Sequence, residues 1–244
     1  MTRGAEGYIS SDLIAPPSKL SPSQGHVVEF LSRASASDGR RVDGLDTTKK
    51  RRRASEQISA KRPLISVFGS SRAQCGDPLY RQGFQLGMLL GQAGFDVATG
   101  GYRGVMEATS RGARAAGAQV LGVTLSSFNE EVNPFVMREL RARNMYSRMK
   151  RLIDSSDGYV ALRGGMGTLA EVTFVWQMLA LSLMPAKPFV LLGKEWRAVL
   201  DCWVEYLTVV ESDYDCLKVV EKPEDAVSYL KEWFSAHPLI AEAT

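Results

Sequence analysis

Histidine is nearly missing from this chain: of 244 residues, only His26 and His237 carry an imidazole. A Ser-His-Asp or Cys-His nucleophilic system, or a zinc site built on several imidazoles, has almost no raw material here. Acid-base chemistry therefore falls to carboxylates, Tyr, Lys or Arg. Cysteine is also scarce. Cys75, Cys202 and Cys216 are odd in number and form no C-x-x-C pair, which suits a reducing compartment better than a disulfide framework. The longest apolar stretch, Val172 to Met184, contains Thr173, Gln177 and Ser182 and stops at Pro185. It falls short of the roughly 20 residues a spanning helix needs and reads as a buried helix. Behind Met1-Thr2-Arg3-Gly4 there is no apolar segment of the secretory kind, so a cytoplasmic location is expected, with no membrane partner.

Charge of one sign is not in excess over the folded part. Lys and Arg total 30 against 27 Asp and Glu, a formal net charge of +3. Residues 1–62 hold 12 basic and 7 acidic groups and carry +5, whereas residues 63–244 hold 18 and 20 and carry −2. A nucleic-acid partner is not expected from such a domain. Residues 1–62 are rich in Ser, Ala, Gly, Arg and Lys, with a short amphipathic patch at Val27–Leu31 and the basic run Lys49–Arg53. They read as a flexible basic extension, and the run as a solvated linker or an anion-binding tract.

With 45% apolar residues the chain can build one sizeable core, and the pattern from Pro63 onward is regular. Short apolar runs at Leu64–Phe68, Phe95–Ala98, Val120–Val123, Tyr159–Leu162 and Phe189–Leu192 read as strands, with a further apolar piece at Leu217–Val220. Between them the spacing predicts helices from Pro78 to Gly94, Val105 to Ala116, across Met137 to Ile153, Thr168 to Leu183, Trp196 to Val209 and Pro223 to about Phe234, with a loop over Ser126 to Pro134. Strands of four or five apolar residues alternating with helices imply βαβ units. The expected fold is α/β, a Rossmann-like doubly wound parallel sheet with helices on both faces, formed by residues 63–244 as a nucleotide-binding catalytic domain.

Ligands of such sheets bind beyond the carboxyl ends of the strands. Three turns there are rich in glycine: Gly69-Ser70-Ser71-Arg72, Gly100-Gly101-Tyr102-Arg103-Gly104 and Arg163-Gly164-Gly165-Met166-Gly167-Thr168. Backbone N–H groups in turns of this kind converge on anions, which points to a phosphorylated ligand, although any one of them also serves as a plain structural turn. None is a P-loop or a full dinucleotide fingerprint. Glu171 stands out on an otherwise apolar helix, either as a helix-start carboxylate or as a functional group. Arg148 belongs to a basic series, Arg138, Arg141, Arg143, Arg148, Lys150 and Arg151, most of it a solvated face.

In this order, Ser66–Ser71 with Pro78-Leu79-Tyr80, then Thr99-Gly100-Gly101 with Gly104-Val105-Met106, then Gly164-Gly165-x-Gly167-Thr168-x-x-Glu171, resemble the LONELY GUY family of cytokinin-activating phosphoribohydrolases, formerly labelled lysine decarboxylases. The resemblance covers roughly Leu64 to Leu192. It implies hydrolysis of the N-glycosidic bond of a nucleoside 5′-monophosphate, of the AMP or cytokinin riboside 5′-monophosphate type, to free base and ribose 5-phosphate. Glu171 and Arg148 match the family's catalytic pair in spacing. Gly69, Ser70, Arg72, Gly100, Gly101, Arg163, Gly164, Gly165, Gly167 and Thr168 then form the substrate-binding set, with no metal or cofactor, and a homodimer is implied. No stretch stands out as a pyridoxal phosphate lysine site, so lysine decarboxylation is not expected. Two departures are visible: Arg163 stands where the family signature has proline, and Gly104-Val105-Met106-Glu107 replaces its G-L-M-G. The second, with Tyr102-Arg103, resembles a related branch that includes molybdenum-cofactor carrier proteins, so a non-catalytic nucleotide or cofactor carrier is the alternative. Phe128, Phe135 and Met137 are candidates for shaping a base pocket.

Deleting residues 1–60 is expected to leave ligand binding and turnover intact. Loss of either, assayed against the full chain, would show that the extension belongs to the working site.

Overall fold

The structure is a computed structural model and describes residues 61–239. The expected extension up to residue 60, with His26, Val27–Leu31 and Lys49–Arg53, lies outside the described residues. The described chain begins with an anchor. Arg62 donates from Nε to Gly94 O and from Nη2 to Gly91 O and Phe95 O, each at 3.0 Å, and its Nε lies 3.3 Å from the Asp96 carboxylate. These carbonyls cluster where a helix ends and a strand begins, and a guanidinium, which only donates, joins them.

In chain order the elements are β1 (Leu64–Phe68), α1 (Pro78–Gln92), β2 (Asp96–Thr99), α2 (Val105–Ala115), β3 (Val120–Leu125), β4 (Arg138–Ala142), α3 (Met145–Asp154), β5 (Gly158–Leu162), α4 (Met166–Ala180), β6 (Phe189–Leu192), α5 (Glu195–Tyr206), β7 (Leu217–Val220) and α6 (Pro223–Ala236). A short 3₁₀ turn at Glu211–Tyr214 precedes β7. The strands form one parallel sheet in the order β4-β3-β2-β1-β5-β6-β7. The expected doubly wound α/β fold is therefore present.

Strand alternation builds two cores. In β5, Val160 and Leu162 join Ile65, Val67, Val97 and Val190 beneath α1, α2 and α6. Tyr159 and Ala161 point the other way, with Phe68, Val123, Phe189 and Leu191, beneath α3, α4 and α5. Both faces of the central strands are dry, which is why those runs are continuously apolar rather than alternating.

The single helix expected across Met137 to Ile153 does not exist. Arg138–Ala142 instead forms the edge strand β4, paired with β3 from Leu121↔Arg138 to Leu125↔Ala142. The charged residues Arg138, Glu139 and Arg141 face solvent at an edge, where charge discourages pairing with other chains. Helix α3 begins only at Met145, after a capping box in which Asn144 Oδ1 accepts from Ser147 N at 2.9 Å and Asn144 N donates to Ser147 Oγ at 3.2 Å. An apolar spacing compatible with one helix thus spans two elements, and a local side-chain cap separates them. Helix α4 starts at Met166, two residues ahead of expectation, and stops at Ala180. It is not a fully buried helix either: Phe174, and Leu181 and Leu183 beyond its end, are 45%, 60% and 61% exposed. Among the described residues no helix is long and apolar enough to cross a membrane.

Helices α1 and α2 approach so closely that glycine is obligatory at their contact. A Cβ on Gly87 would lie 2.1 Å from Thr109 O, and one on Gly112 would lie 2.0 Å from Phe84 O. This contact matters for the site because α1 and α2 follow the turns after β1 and β2. Gly87→Ala is expected to destabilise the protein by about 1–3 kcal/mol in urea unfolding through overpacking. That loss comes in spite of the roughly 1 kcal/mol that alanine gains over glycine in an unobstructed helix. An unchanged or raised midpoint would show that the two helices separate freely.

Candidate functional site

The chain winds outward from β1 through β2 and β3 to β4, then returns to place β5 on the other side of β1. In a parallel sheet this reversal opens a crevice above the carboxyl ends of the strands. All three glycine-rich turns lie along that edge and are joined by backbone hydrogen bonds. Ser70 N donates to Arg163 O at 3.3 Å, and Val105 N donates to Ser70 O at 2.8 Å. Gly104 has φ 75°, and a Cβ there would sit 2.3 Å from Ser70 O. Only glycine permits this approach between the first two turns.

Arg148, on the inner face of α3, is 8% exposed and reaches over the ends of β2 and β3. Its Nε donates to Val123 O at 2.8 Å and its Nη2 to Gly100 O at 3.3 Å. Nη1 lies 3.5 Å from Glu171 Oε1, and Cζ sits 5.9 Å from the Tyr102 ring centroid. A Cβ on Gly100 would come within 2.0 Å of Nη2, so the absence of a side chain there is what admits the guanidinium. The polar groups of the second turn are spent inside the protein: Gly100 O accepts from Arg148, Gly101 N donates to Thr99 Oγ1 at 3.1 Å, and Gly101 O accepts from Asn133 N at 2.9 Å. Gly100 and Gly101 thus build a seat for Arg148.

Glu171 lies in the second turn of α4, because that helix begins at Met166. It is therefore neither a cap nor a first-turn partner of the helix dipole. The residue is 9% exposed, and burial pushes its carboxyl up from the ordinary range to about 7 against the opposing pull of Arg148. The ion pair is long for a hydrogen bond, and the Glu171 side chain retains 12% exposure.

The head of α4 is open. Gly165 is its N-cap with extended backbone, no side chain caps it, and its first turn holds no acidic residue. A Cβ on Gly165 or Gly167 would meet nothing within 4 Å, while Thr168 is buried with its hydroxyl against Gly164. By contrast α1 is preceded by Asp77, and α2 and α5 carry Glu107 and Glu195 in their first turns. Unpaired N–H groups at the head of α4 can hold an anion. Of the other expected residues, Gly69 and Ser70 line the first turn, and Ser70 Oγ accepts from Arg72 N at 3.1 Å. Arg163 turns away from the glycines that follow it, with Nη1 3.6 Å from Glu195 Oε1. Glu107, where the resemblance has glycine, accepts from Tyr80 OH at 2.9 Å.

Two residues of the site were not among those expected. Tyr102 is 4% exposed; its hydroxyl accepts from Leu125 N at 2.8 Å and donates to Leu125 O at 3.3 Å. Asn133 Nδ2 donates to Tyr102 O at 3.0 Å. Together they tie the second turn to the end of β3 beside Arg148. Tyr102 adjoined a glycine-rich turn in sequence, but Asn133 gave no signal, since a lone Asn in a long loop has many uses. Phe128 lies against Tyr102 with ring centroids 5.7 Å apart, Phe135 packs under Arg111, and Met137 is half exposed.

The model of the SLOG cluster4 family matches residues 62–227. An uncharacterised protein of Archaeoglobus fulgidus is 28% identical over 165 residues, covering 68% of this chain and 92% of that one. A probable cytokinin riboside 5′-monophosphate phosphoribohydrolase of Oryza sativa subsp. japonica is 34% identical over 106 residues, 41% of this chain and 43% of the rice protein. Among solved structures, the molybdenum cofactor binding protein of the phototrophic bacterium Rippkaea orientalis superposes with a TM-score of 0.59 at 25% identity, covering 72% of this chain and 99% of that one. The molybdenum cofactor carrier protein of Chlamydomonas reinhardtii, at 23% identity and TM-score 0.57 over 72% of this chain and 99% of its own, shares the fold.

A carboxyl raised from about 4.5 to about 7 holds its proton more tightly in the folded than in the unfolded chain. Its contribution to stability is therefore full below about pH 4.5 and is lost as pH rises to about 7, a change on the order of 3 kcal/mol. Glu171→Gln should flatten the pH dependence of urea unfolding between pH 5 and 8. Parallel curves for the two proteins would mean that Glu171 titrates normally.

Proposed function

The chain belongs to the SLOG cluster4 family, and on that premise we propose that it hydrolyses the N-glycosidic bond of a nucleoside 5′-monophosphate, releasing free base and ribose 5-phosphate. The observation that carries this reading is the buried Arg148–Glu171 pair, whose carboxylate lies in the second turn of the helix with the uncapped head, α4. Cleavage of the bond builds positive charge on the ribose, and a carboxylate beside C1′ stabilises that charge or takes a proton from the attacking water. Water adds to C1′, the bonding pair leaves with the base, and a proton completes the base. Glu171 has that part, with a carboxyl that titrates near neutrality. Arg148 has only donors to offer, so its part is to orient Glu171 and to donate to the ligand. The phosphate is held by the backbone N–H groups of the Gly164–Thr168 turn and the Thr168 hydroxyl, with Ser70 and Arg72 at the rim. Holding phosphate and carboxylate on one rigid helix fixes the reacting carbon between them.

A second reading is supported by the likeness to the Rippkaea orientalis protein: binding of a nucleotide or of molybdenum cofactor as cargo, without turnover. A carrier needs the anion site but not a carboxylate with a raised pKa, and this favours hydrolysis. A homodimer belongs to the same proposal, with exposed Met166, Phe174 and Leu181 as an apolar face beside the site.

Incubation with a panel of nucleoside monophosphates, including AMP, GMP and isopentenyladenosine 5′-monophosphate, is expected to release free base detectable by chromatography. Release from none of them overturns the hydrolase reading. Glu171→Gln should lower kcat by about 10²–10⁴-fold, the usual worth of a positioned general base. If the ionised carboxylate is the active form, kcat rises through about pH 7 in the wild type and that limb is lost in the variant. An acid limb centred below pH 5 would assign the chemistry to another group.

A further inference from the structure

Arg148 stands closer to neutral carbonyls than to the carboxylate it faces. Its Nε lies 2.8 Å from Val123 O, whereas Nη1 stops 3.5 Å from Glu171 Oε1. Withdrawn from water, a guanidinium attracts a carboxylate far more strongly than a carbonyl, and a pair free to close does so at about 2.7–2.9 Å, commonly through two nitrogens. The guanidinium is therefore restrained. It is planar and rigid, so fixing two of its nitrogens fixes the third. Nε is held on β3 by Val123 O and Nη2 by Gly100 O at 3.3 Å, which sets where Nη1 can stand.

That restraint is only as firm as the turn that carries Gly100, and two side chains make the turn firm. Tyr102 is buried, and its hydroxyl accepts from Leu125 N at 2.8 Å and donates to Leu125 O at 3.3 Å, so it ties the turn to the end of β3. Its ring centroid lies 5.9 Å from Arg148 Cζ, where an aromatic ring attracts a cation without competing for its N–H groups. Asn133 takes the two carbonyls that follow Gly100: its N donates to Gly101 O at 2.9 Å and its Nδ2 to Tyr102 O at 3.0 Å. Asn133 is fixed in turn. Its Oδ1 accepts from Phe135 N at 3.1 Å, and Arg114 of α2 donates to the adjoining Pro134 O at 3.1 Å.

What the restraint preserves lies at Glu171. Oε1 accepts one long bond from Arg148, and Oε2 has no hydrogen-bond partner among the described residues. Thr109 Oγ1 is the one fully enclosed side-chain polar atom without a partner among those residues, so Oε2 is not sealed from solvent. Closure of Arg148 onto both oxygens would occupy the carboxylate and stabilise its ionised form, leaving a weaker base.

Resting on the proposed role of Glu171, we propose that Tyr102 and Asn133 are positioning residues for the reaction, which hold Arg148 in its seat and short of Glu171 so that the carboxylate stays free to meet the ligand. Both act through Arg148, which is the charged group that acts on the Glu171 carboxyl among the described residues.

Carboxyl carbon-13 NMR of the ligand-free full chain reads the titration of Glu171 without requiring turnover, with Glu171→Gln identifying its signal. The wild-type group is expected to titrate at about 7. In Tyr102→Leu and in Asn133→Ala, Arg148 is expected to close on the carboxylate and the titration to fall by about one pH unit or more, roughly a tenfold loss of proton affinity. Tyr102→Phe keeps the ring and the carbonyl bonded to Asn133. It should titrate as the wild type does while its urea midpoint falls, because Leu125 N loses its acceptor. A titration unmoved or raised in the first two variants, whatever happens to their midpoints, overturns the proposal and leaves both residues a structural role only. If Tyr102→Leu does not fold, Asn133→Ala, a change in a loop, decides alone. Where the wild type releases base, kcat of the first two variants should fall and its acid limb move to lower pH, with KM little changed. If the titration falls as expected but no nucleotide yields free base, the positioning stands and the hydrolase reading falls.

Discussion

A guanidinium withdrawn from water must find acceptors for its N–H groups, and the whole ligand edge of this protein is arranged around how Arg148 does so. Val123 and Gly100 offer backbone carbonyls, Glu171 offers a carboxylate, and Tyr102 supplies an aromatic face. These partners come from β3, the turn after β2 and α4. One side chain on α3 thus fixes three separate segments with respect to one another. The arrangement costs desolvation on both charged groups, and a buried ion pair is poor evidence for stability. Burial raises the Glu171 carboxyl to about 7 against the pull of Arg148, whose loose pairing offsets the desolvation only in part.

Around that centre the turns divide their labour. The turn after β2 holds Arg148 and is linked to Thr99 and Asn133, and its glycines permit that close approach. The turn after β5 has open space around its glycines and leads into a helix without an acidic first turn. The turn after β1 ties the other two together through Ser70. Arg163 illustrates how local context redirects a charge: it precedes Gly164 and Gly165 in sequence, yet pairs with Glu195 at the start of α5.

Much of the fold was legible because the central strands are apolar on both faces and the helices between them are punctuated by glycine and proline. The edge was not. In Arg138–Ala142 a strand bears charges because it is solvent-exposed on one side, and its few apolar residues fell into register with those of α3 to imitate one helix. The capping box at Asn144 and Ser147 was the local signal that separates the two elements. In the site, Glu171, Arg148 and the glycines were found by spacing and resemblance. Tyr102 and Asn133 were not, since both act through backbone contacts whose partners are distant in sequence.

By itself, the sequence determined the parallel α/β architecture and the near absence of imidazole, and its resemblance to a known family singled out the two charged residues that meet. The first two follow from residue type and periodicity, which are local properties. Only the tertiary structure decided that Arg148 and Glu171 are buried against each other, that Glu171 lies beyond the first turn of its helix, and that Gly100 makes room for a guanidinium. Burial, and with it the charge state of a carboxyl, is set by what packs around a group from elsewhere in the chain. A count of only two histidines could direct attention to carboxylates, but solvent exclusion by the surrounding elements brought one of them to titrate near neutrality.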